Sequence, residues 1–300
     1  MSFSVPRPGR WRTQLAAKPF TVADLSRIRL DLHPRLDEEE AREVLARRPD
    51  GSFWLSESEE FILVDQWRHR TEMSTIHTFG AFANEALLMS AVMESARASG
   101  QSAMVVVDVN ETRSDAFFNQ HGFDVEETIV TYSHNDLRLG ISQFQPPILT
   151  FERVPVGASD LLNDVIEVDH VSFPWFWWNS VAEFHQYLDY PGVDVWAGRL
   201  DGEVVAYAGV TRYHGWAHLD RIATRTDRQG QGIGRDMLGH VMREVARHGA
   251  RSLALSTQEH NQQSRRLYER AGFESTPQDD YRIHIASFDD ARVLEGIWRP

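Results

Sequence analysis

At 300 residues, with 42% hydrophobic and 25% charged side chains, the chain has the make-up of a globular protein large enough for two domains. Its net charge of −13 is spread over both halves, which excludes a basic nucleic-acid module in either. Cysteine is absent, so disulfides, thiolate metal sites and a cysteinyl acyl-enzyme are excluded, and the one lysine, Lys18, lies far from every motif described below.

No run approaches the ~20 apolar residues of a membrane span. Met1 to Arg12 has no apolar signal core, so the expected address is cytoplasmic. Residues 1–20 carry Pro6, Pro8 and Pro19 and read as a loosely held arm. A helical pattern starts at Thr21 with Asp24 as a candidate cap, and Leu36–Arg48 reads as a helix opened by the acids Asp37 to Glu40. Phe61–Val64 is a short buried strand. Asn84–Ala98 is a helix with Leu87, Leu88, Ala91, Val92 and Ala96 on one face, and Ala103–Val107 is an apolar strand suited to the inside of a sheet.

In the second half, Leu149–Val154 reads as a strand and Leu161–Val171 as a helix. The aromatic run Phe173 to Trp178 follows, then a helix over Val181–Leu188. Val193–Arg199 and Val204–Val210 form a hairpin across Asp201-Gly202. Next come a strand over His218–Thr224, the glycine turn Gln229–Gly234, a helix spaced by Met237, Leu238, Val241, Met242 and Val245, and a strand over Ser252–Ser256. The last run is Asn261 to Phe273.

Strand, glycine turn and helix together make an anion site, because glycine lets backbone N–H groups approach a ligand and the helix start adds partial positive charge. The spacing departs from both common phosphate loops: the third glycine of G-x-G-x-x-G comes one residue early, and G-x-x-x-x-G-K-S/T lacks its lysine. Read as Q/R-x-x-G-x-G/A, Gln229–Gly234 resembles the pyrophosphate loop of the GNAT acyl-CoA N-acyltransferases. Asn261–Phe273 resembles that family's N-x-x-A/S-x-x-L-Y-x-x-x-G-F segment. The resemblance spans roughly residues 148–285, and more weakly the first half.

Shifting the numbering by 150 lays Ser114–Phe123 on Ser264–Phe273 without a gap, and Gly80, Ala96, Arg97 and Ser102 on Gly230, Ala246, Arg247 and Ser252. The chain therefore reads as a tandem duplication joined near Gln143–Pro147. The first copy has Phe82, Asn84, Glu111 and Phe118 where the second has Gly232, Gly234, Asn261 and Tyr268. A phosphate loop without its glycines cannot bring its N–H groups to a ligand. The expectation is an α/β (α+β) protein of two tandem GNAT folds, each a mixed, mostly antiparallel sheet flanked by helices. Residues 1–145 would be a degenerate copy and 146–300 the catalytic one, a layout similar to tandem GNATs such as mycothiol synthase.

The resemblance implies acetyl-CoA as co-substrate, no metal, and transfer of the acetyl group to a primary amine in a ternary complex. Gln229, Gly230, Gln231, Gly232, Ile233 and Gly234 would bind pyrophosphate, with Arg235 as charge partner; a plain tight turn is the alternative. Ile222, Ala223 and Thr224 would pair with the pantetheine arm. Asn261 would hold that arm or a water, and Ser264 the cofactor. Tyr268 would protonate the departing thiolate; its alternative is a core aromatic beside Leu267. His218, Asp220 and Ile222 share a strand face at period two, so His218 and Asp220 are both candidates for the base, or for a surface ion pair. Phe173, Trp175 and Trp177, with Asp169 before them, would line the acceptor site; packing between domains is the alternative. The acceptor reads as a small amine (an amino sugar, amino acid derivative or antibiotic), with a protein or peptide acceptor and a non-catalytic acyl-CoA sensor as rivals. The acidic balance suits a cationic amine or mere solubility. Neither nucleic acid nor membrane is an expected partner, and both monomer and homodimer stand.

Overall fold

The computed structural model describes residues 15–28, 36–109, 113–142, 144 and 146–288. The first fourteen residues of the expected arm, Glu111, and Gln143 and Gln145 of the expected linker lie outside them. The chain divides into two compact units, residues 1–66 with 74–101, and residues 67–73 with 102–300.

In the first unit, strands β1 (Lys18–Pro19), β2 (Phe53–Leu55), β3 (Glu60–Gln66) and β4 (Met73–Gly80) pair antiparallel in chain order. Helix α1 (Glu38–Arg47) begins where expected, because the Asp37 carboxylate accepts the Glu40 N–H at 2.8 Å. Helix α2 (Glu85–Ala98) buries Leu88, Met89, Val92, Met93 and Ala96. Its buried face is rotated from the expected one, leaving Leu87 exposed. Phe20, Leu25, Val44, Leu45, Trp54, Phe61 and Leu63 form this unit's core.

The loop entering α2 is closed by the chain itself. Glu60, at the start of β3, accepts the backbone N–H groups of Phe82 (2.7 Å), Ala83 (2.6 Å) and Asn84 (3.1 Å), and the Asn84 side-chain amide as well. Burial alone pushes the Glu60 carboxyl up, but these donors outweigh it and hold the group down at about 2.

The second unit begins with β5 (Ala103–Val107), α3 (Asp115–Gln120), β6 (Asp124–His134), α4 (Leu137–Ile141) and β7 (Thr150–Arg153). Helices α5 (Asp160–Ser172) and α6 (Val181–Asp189) lead to β8 (Val193–Leu200), β9 (Glu203–Arg212) and β10 (Trp216–Thr224). Then come α7 (Ile233–Arg247), β11 (Ser252–Gln258), α8 (Gln262–Arg270), the short β12 (Glu274–Ser275) and β13 (Tyr281–Ser287). The strands run β7-β8-β9-β10-β11-β6-β13-β5; β10 and β11 are parallel, and the other neighbours pair antiparallel. Helix α7 packs Met237, Leu238, Val241, Met242 and Val245 on one sheet face with Leu219 and Leu255, as their spacing predicts. A separate core gathers Val165, Phe184, Leu188 and Tyr207 with Ala223.

The compact units do not part at the expected 145/146 division. Strand β6, from the first half, lies between β11 and β13, and β13, from the second half, lies between β5 and β6. Each half thus lends a strand to the other's neighbours, which binds residues 102–300 into one body.

Candidate active site

The site starts from a failure of two strands to stay together. Strands β10 and β11 pair in parallel from Trp216–Ser252 to Leu219–Leu255 and no further. Beyond that point β10 follows β9, with Ile222, Ala223 and Thr224 opposite Ala208, Tyr207 and Ala206, while β11 follows β6 as far as Gln258. One edge of β10 over Ile222–Thr224 is therefore left without a neighbouring strand, a place where an extended ligand can add as a strand does.

The divergence begins at a bulge. The β9–β10 register jumps between Leu219 and Arg221, leaving Asp220 as the extra residue. The bulge reverses the alternation: Ala217, Leu219 and Ile222 meet the α7 core, whereas Ala223 joins the opposite one. The expected grouping of Ile222 with His218 and Asp220 is corrected accordingly. Strict period two holds only in an unbulged strand.

Below the gap, Gly230 and Gly232 stand at φ 77° and 87°, values that L side chains rarely adopt, which accounts for glycine at both positions. Gly232 caps α7 and has no side chain to satisfy the helix's first N–H groups. A cavity of about 1290 Å³ opens there. It brings together Ile222, Ala223, Thr224, Gln229, Gly230, Gly232, Ile233, Gly234, Arg235, Asn261, Ser264, Tyr268 and Phe173. Gln231 lies within the same turn but not on the wall.

Arg228, Arg266 and Arg270 also face the cavity. With Arg235 they concentrate positive charge in a chain of net −13. Reading the sequence for glycines passed over these three; the signal was Arg266 and Arg270 four apart on one helix, hence on one face. Phe144 and Ser172 complete what was missed: Phe144 lies under the Arg235 guanidinium, 5.6 Å from ring centre to Cζ, and Ser172 donates to the Thr224 carbonyl at 3.1 Å.

Residues 162–273 match the acetyltransferase (GNAT) family model. This segment is a GNAT-family domain. No curated protein matches the chain. Among solved structures, a tandem GNAT protein from the clavulanic acid biosynthesis pathway aligns over 93% of this chain and 100% of its own, at 13% identity and TM-score 0.61. A GCN5-related N-acetyltransferase from Sphaerobacter thermophilus aligns over 91% and 95%, at 15% identity and TM-score 0.57. A putative acetyltransferase from Pyrococcus horikoshii aligns over 96% and 94%, at 13% identity and TM-score 0.58. The fold of the chain is similar to that of a tandem GNAT protein. Among the described residues, no helix is long and apolar enough to cross a membrane.

Within the GNAT domain, Tyr268 is buried, and burial pushes its hydroxyl up to about 12, with the Ser264 hydroxyl working against the shift. It is protonated at neutral pH and faces the cavity, as a proton donor must. Asn261 caps α8, its side-chain oxygen taking the Ser264 N–H at 3.1 Å.

His218 and Asp220 are not on the cavity wall. They form a built pair: His218 Nδ1 lies 2.8 Å from Asp220 Oδ1, while the hydroxyls of Thr211 (2.7 Å) and Tyr187 donate to Asp220 Oδ2. Gly209 makes room for this, since a Cβ there would sit 2.8 Å from the Tyr187 ring. An ionised carboxylate only accepts hydrogen bonds, so Nδ1 carries a His218 proton, and in the neutral ring the lone pair stands at Nε2.

Of the expected acceptor residues, only Phe173 reaches the cavity. Asp169 is fully buried and engaged by Arg221 Nε (2.6 Å), the Asn179 N–H (2.9 Å) and the Tyr207 hydroxyl, so it is a structural anion and not an acceptor contact. Arg221 also donates to the Trp177 carbonyl and lies 3.9 Å over the Phe173 ring. Arg70 donates to the Trp175 carbonyl at 2.7 Å and lies 4.3 Å over its ring. Trp67 stacks on Phe176 at 4.8 Å. The aromatic run is therefore a packed knot, close to the packing alternative read from the sequence.

Proposed function

We propose that the protein is an acetyl-CoA-dependent N-acetyltransferase acting on the primary amine of a small molecule, by direct transfer in a ternary complex. The observation that carries this reading is the cavity at the β10–β11 divergence, floored by the positive-φ glycines and the uncapped start of α7 and ringed by arginines. A pyrophosphate suits those N–H groups and guanidinium charges, and a pantetheine arm suits the open edge of β10. A thioester supplies an activated acyl group; its transfer to an amine forms a C–N bond, breaks a C–S bond and moves one proton off nitrogen and one onto sulfur.

Tyr268 delivers the proton to sulfur, and burial keeps that proton on the hydroxyl at neutral pH. His218 takes the amine proton at Nε2, and Asp220 fixes the ring's tautomer and balances the charge that forms. The strand rises about 3.3 Å per residue, so His218 stands about 16 Å from Ala223 along β10, a distance the extended arm would bridge. The test is thiol release from acetyl-CoA across an amine panel, with and without Tyr268→Phe. Acetylation that needs the amine and drops at least about 100-fold in the variant supports the reading; tight acetyl-CoA binding with no turnover on any amine or peptide would replace it with a sensor.

A further inference from the structure

The face of β10 that carries the His218–Asp220 pair continues toward the β9–β10 turn, where it becomes aromatic. Trp216 lies two residues before His218 on that face, and its indole stacks on Tyr213 across the turn, with ring centres 4.3 Å apart and planes within 14°. Both rings remain open to water, Trp216 being 41% exposed and Tyr213 46%. Tyr190, at the end of α6, is 60% exposed and lies near the Tyr213 hydroxyl, which burial and the Asp220 carboxylate push up. The chain places flat apolar surface in water beside the His218–Asp220 pair. Ala217 and Leu219, the neighbours of these residues on the same strand, point the other way into the core.

We infer that the Tyr213–Trp216 stack, flanked by Tyr190, is the acceptor platform, and that the acceptor is an amine carrying a planar aromatic body. This rests on the acetyltransferase reading above and names its substrate class. The ring of the acceptor lies on the exposed aromatic pair, and its ammonium group is drawn toward the Asp220 carboxylate and the electron-rich ring faces. The amine then loses one proton to solvent and, on attack, a second to His218 Nε2. The strand carries the three parts in order: aromatic platform at Trp216, base at His218, and the cofactor edge from Ile222. With the aromatic run at Phe173–Trp178 packed on itself, the turn is where exposed rings stand beside the candidate base.

The test compares 2-phenylethylamine with n-propylamine, which has the same amine and no ring. Wild type is expected to prefer phenylethylamine by about tenfold or more in kcat/KM, the effect lying in KM. Trp216→Ala is expected to bring the ratio to about one, and Trp216→Phe, which keeps a ring, to restore most of it; Tyr213→Ala should act in the same direction. An unchanged ratio in Trp216→Ala, or a wild type indifferent to the ring, overturns the proposal while leaving acetyl transfer intact. If no amine is acetylated, calorimetric titration of phenylethylamine into the wild type and Trp216→Ala still decides: binding lost in the variant supports the platform, and its absence from wild type overturns it.

Discussion

Helices α2 and α7 both follow a strand and a tight loop, and both would offer N–H groups to an anion, yet they meet opposite fates. At α2 the donors of Phe82, Ala83 and Asn84 are taken by Glu60, the first residue of β3. The corresponding strand in the second half, β9, also begins with a glutamate, Glu203. That carboxylate is drawn instead to Arg225 (3.3 Å) and Arg228 (3.1 Å), and the start of α7 is left to a cavity. A helix start of this kind becomes a ligand site only where the chain withholds its own anion. The first half keeps the local geometry and has closed it.

The comparison can be broken by experiment. The largest effect is expected from Gly232→Phe with Gly234→Asn, which copies the first half's loop. A side chain at φ 87° is strained, and acetyl-CoA binding by calorimetry should fall by more than about 100-fold. One equivalent still bound by this variant would mean that the first half holds a site after all.

Tyr268→Phe copies Phe118 and should cut kcat by about 100-fold or more with little change in acetyl-CoA affinity, because it removes a proton and not a contact. Glu60→Gln opens the other side of the comparison. It should cost about 1–3 kcal/mol in urea unfolding, since buried N–H groups lose a charged acceptor. The folded carboxyl is held at about 2, below its ordinary about 4.5. Its contribution is therefore complete above pH 4.5 and fades as the pH falls through 2, and the wild-type advantage over the variant should shrink across that window. The smallest effect belongs to Arg225→Ala with Arg228→Ala. Exposed ion pairs contribute little, so stability should move by under about 1 kcal/mol, while acetyl-CoA binding weakens severalfold through the loss of Arg228 from the cavity.

Much of this was legible in the residues. The glycine turn, Tyr268 and the amphipathic α7 announced themselves because each depends on neighbours within a few positions. Glu60 did not, since a carboxylate 22 residues before the N–H it satisfies leaves no local trace. The Asp220 bulge was equally silent: it breaks a two-residue alternation that the sequence itself continues. The aromatic run was visible, but whether aromatic rings face a ligand or one another is settled by Arg70, Arg221 and Asp169, brought in from distant elements. Asp169 looked available only because a lone carboxylate in sequence carries no sign of its partners.

The interleaving of β6 and β13 has a consequence for how the protein is made. Arg282 of β13 donates its backbone N–H to Asp108, 174 positions earlier in the chain. As the polypeptide leaves the ribosome, β5 and β6 are complete long before the strand that fits between them exists, and the open edges must be kept from other chains meanwhile. Closure then resembles a zip drawn from the far end: β13, synthesised long after its two neighbours, fills the gap between β5 and β6. Cutting the gene between the halves would deprive β11 of its neighbour β6 and leave β5 without β13, so neither half keeps its sheet complete alone.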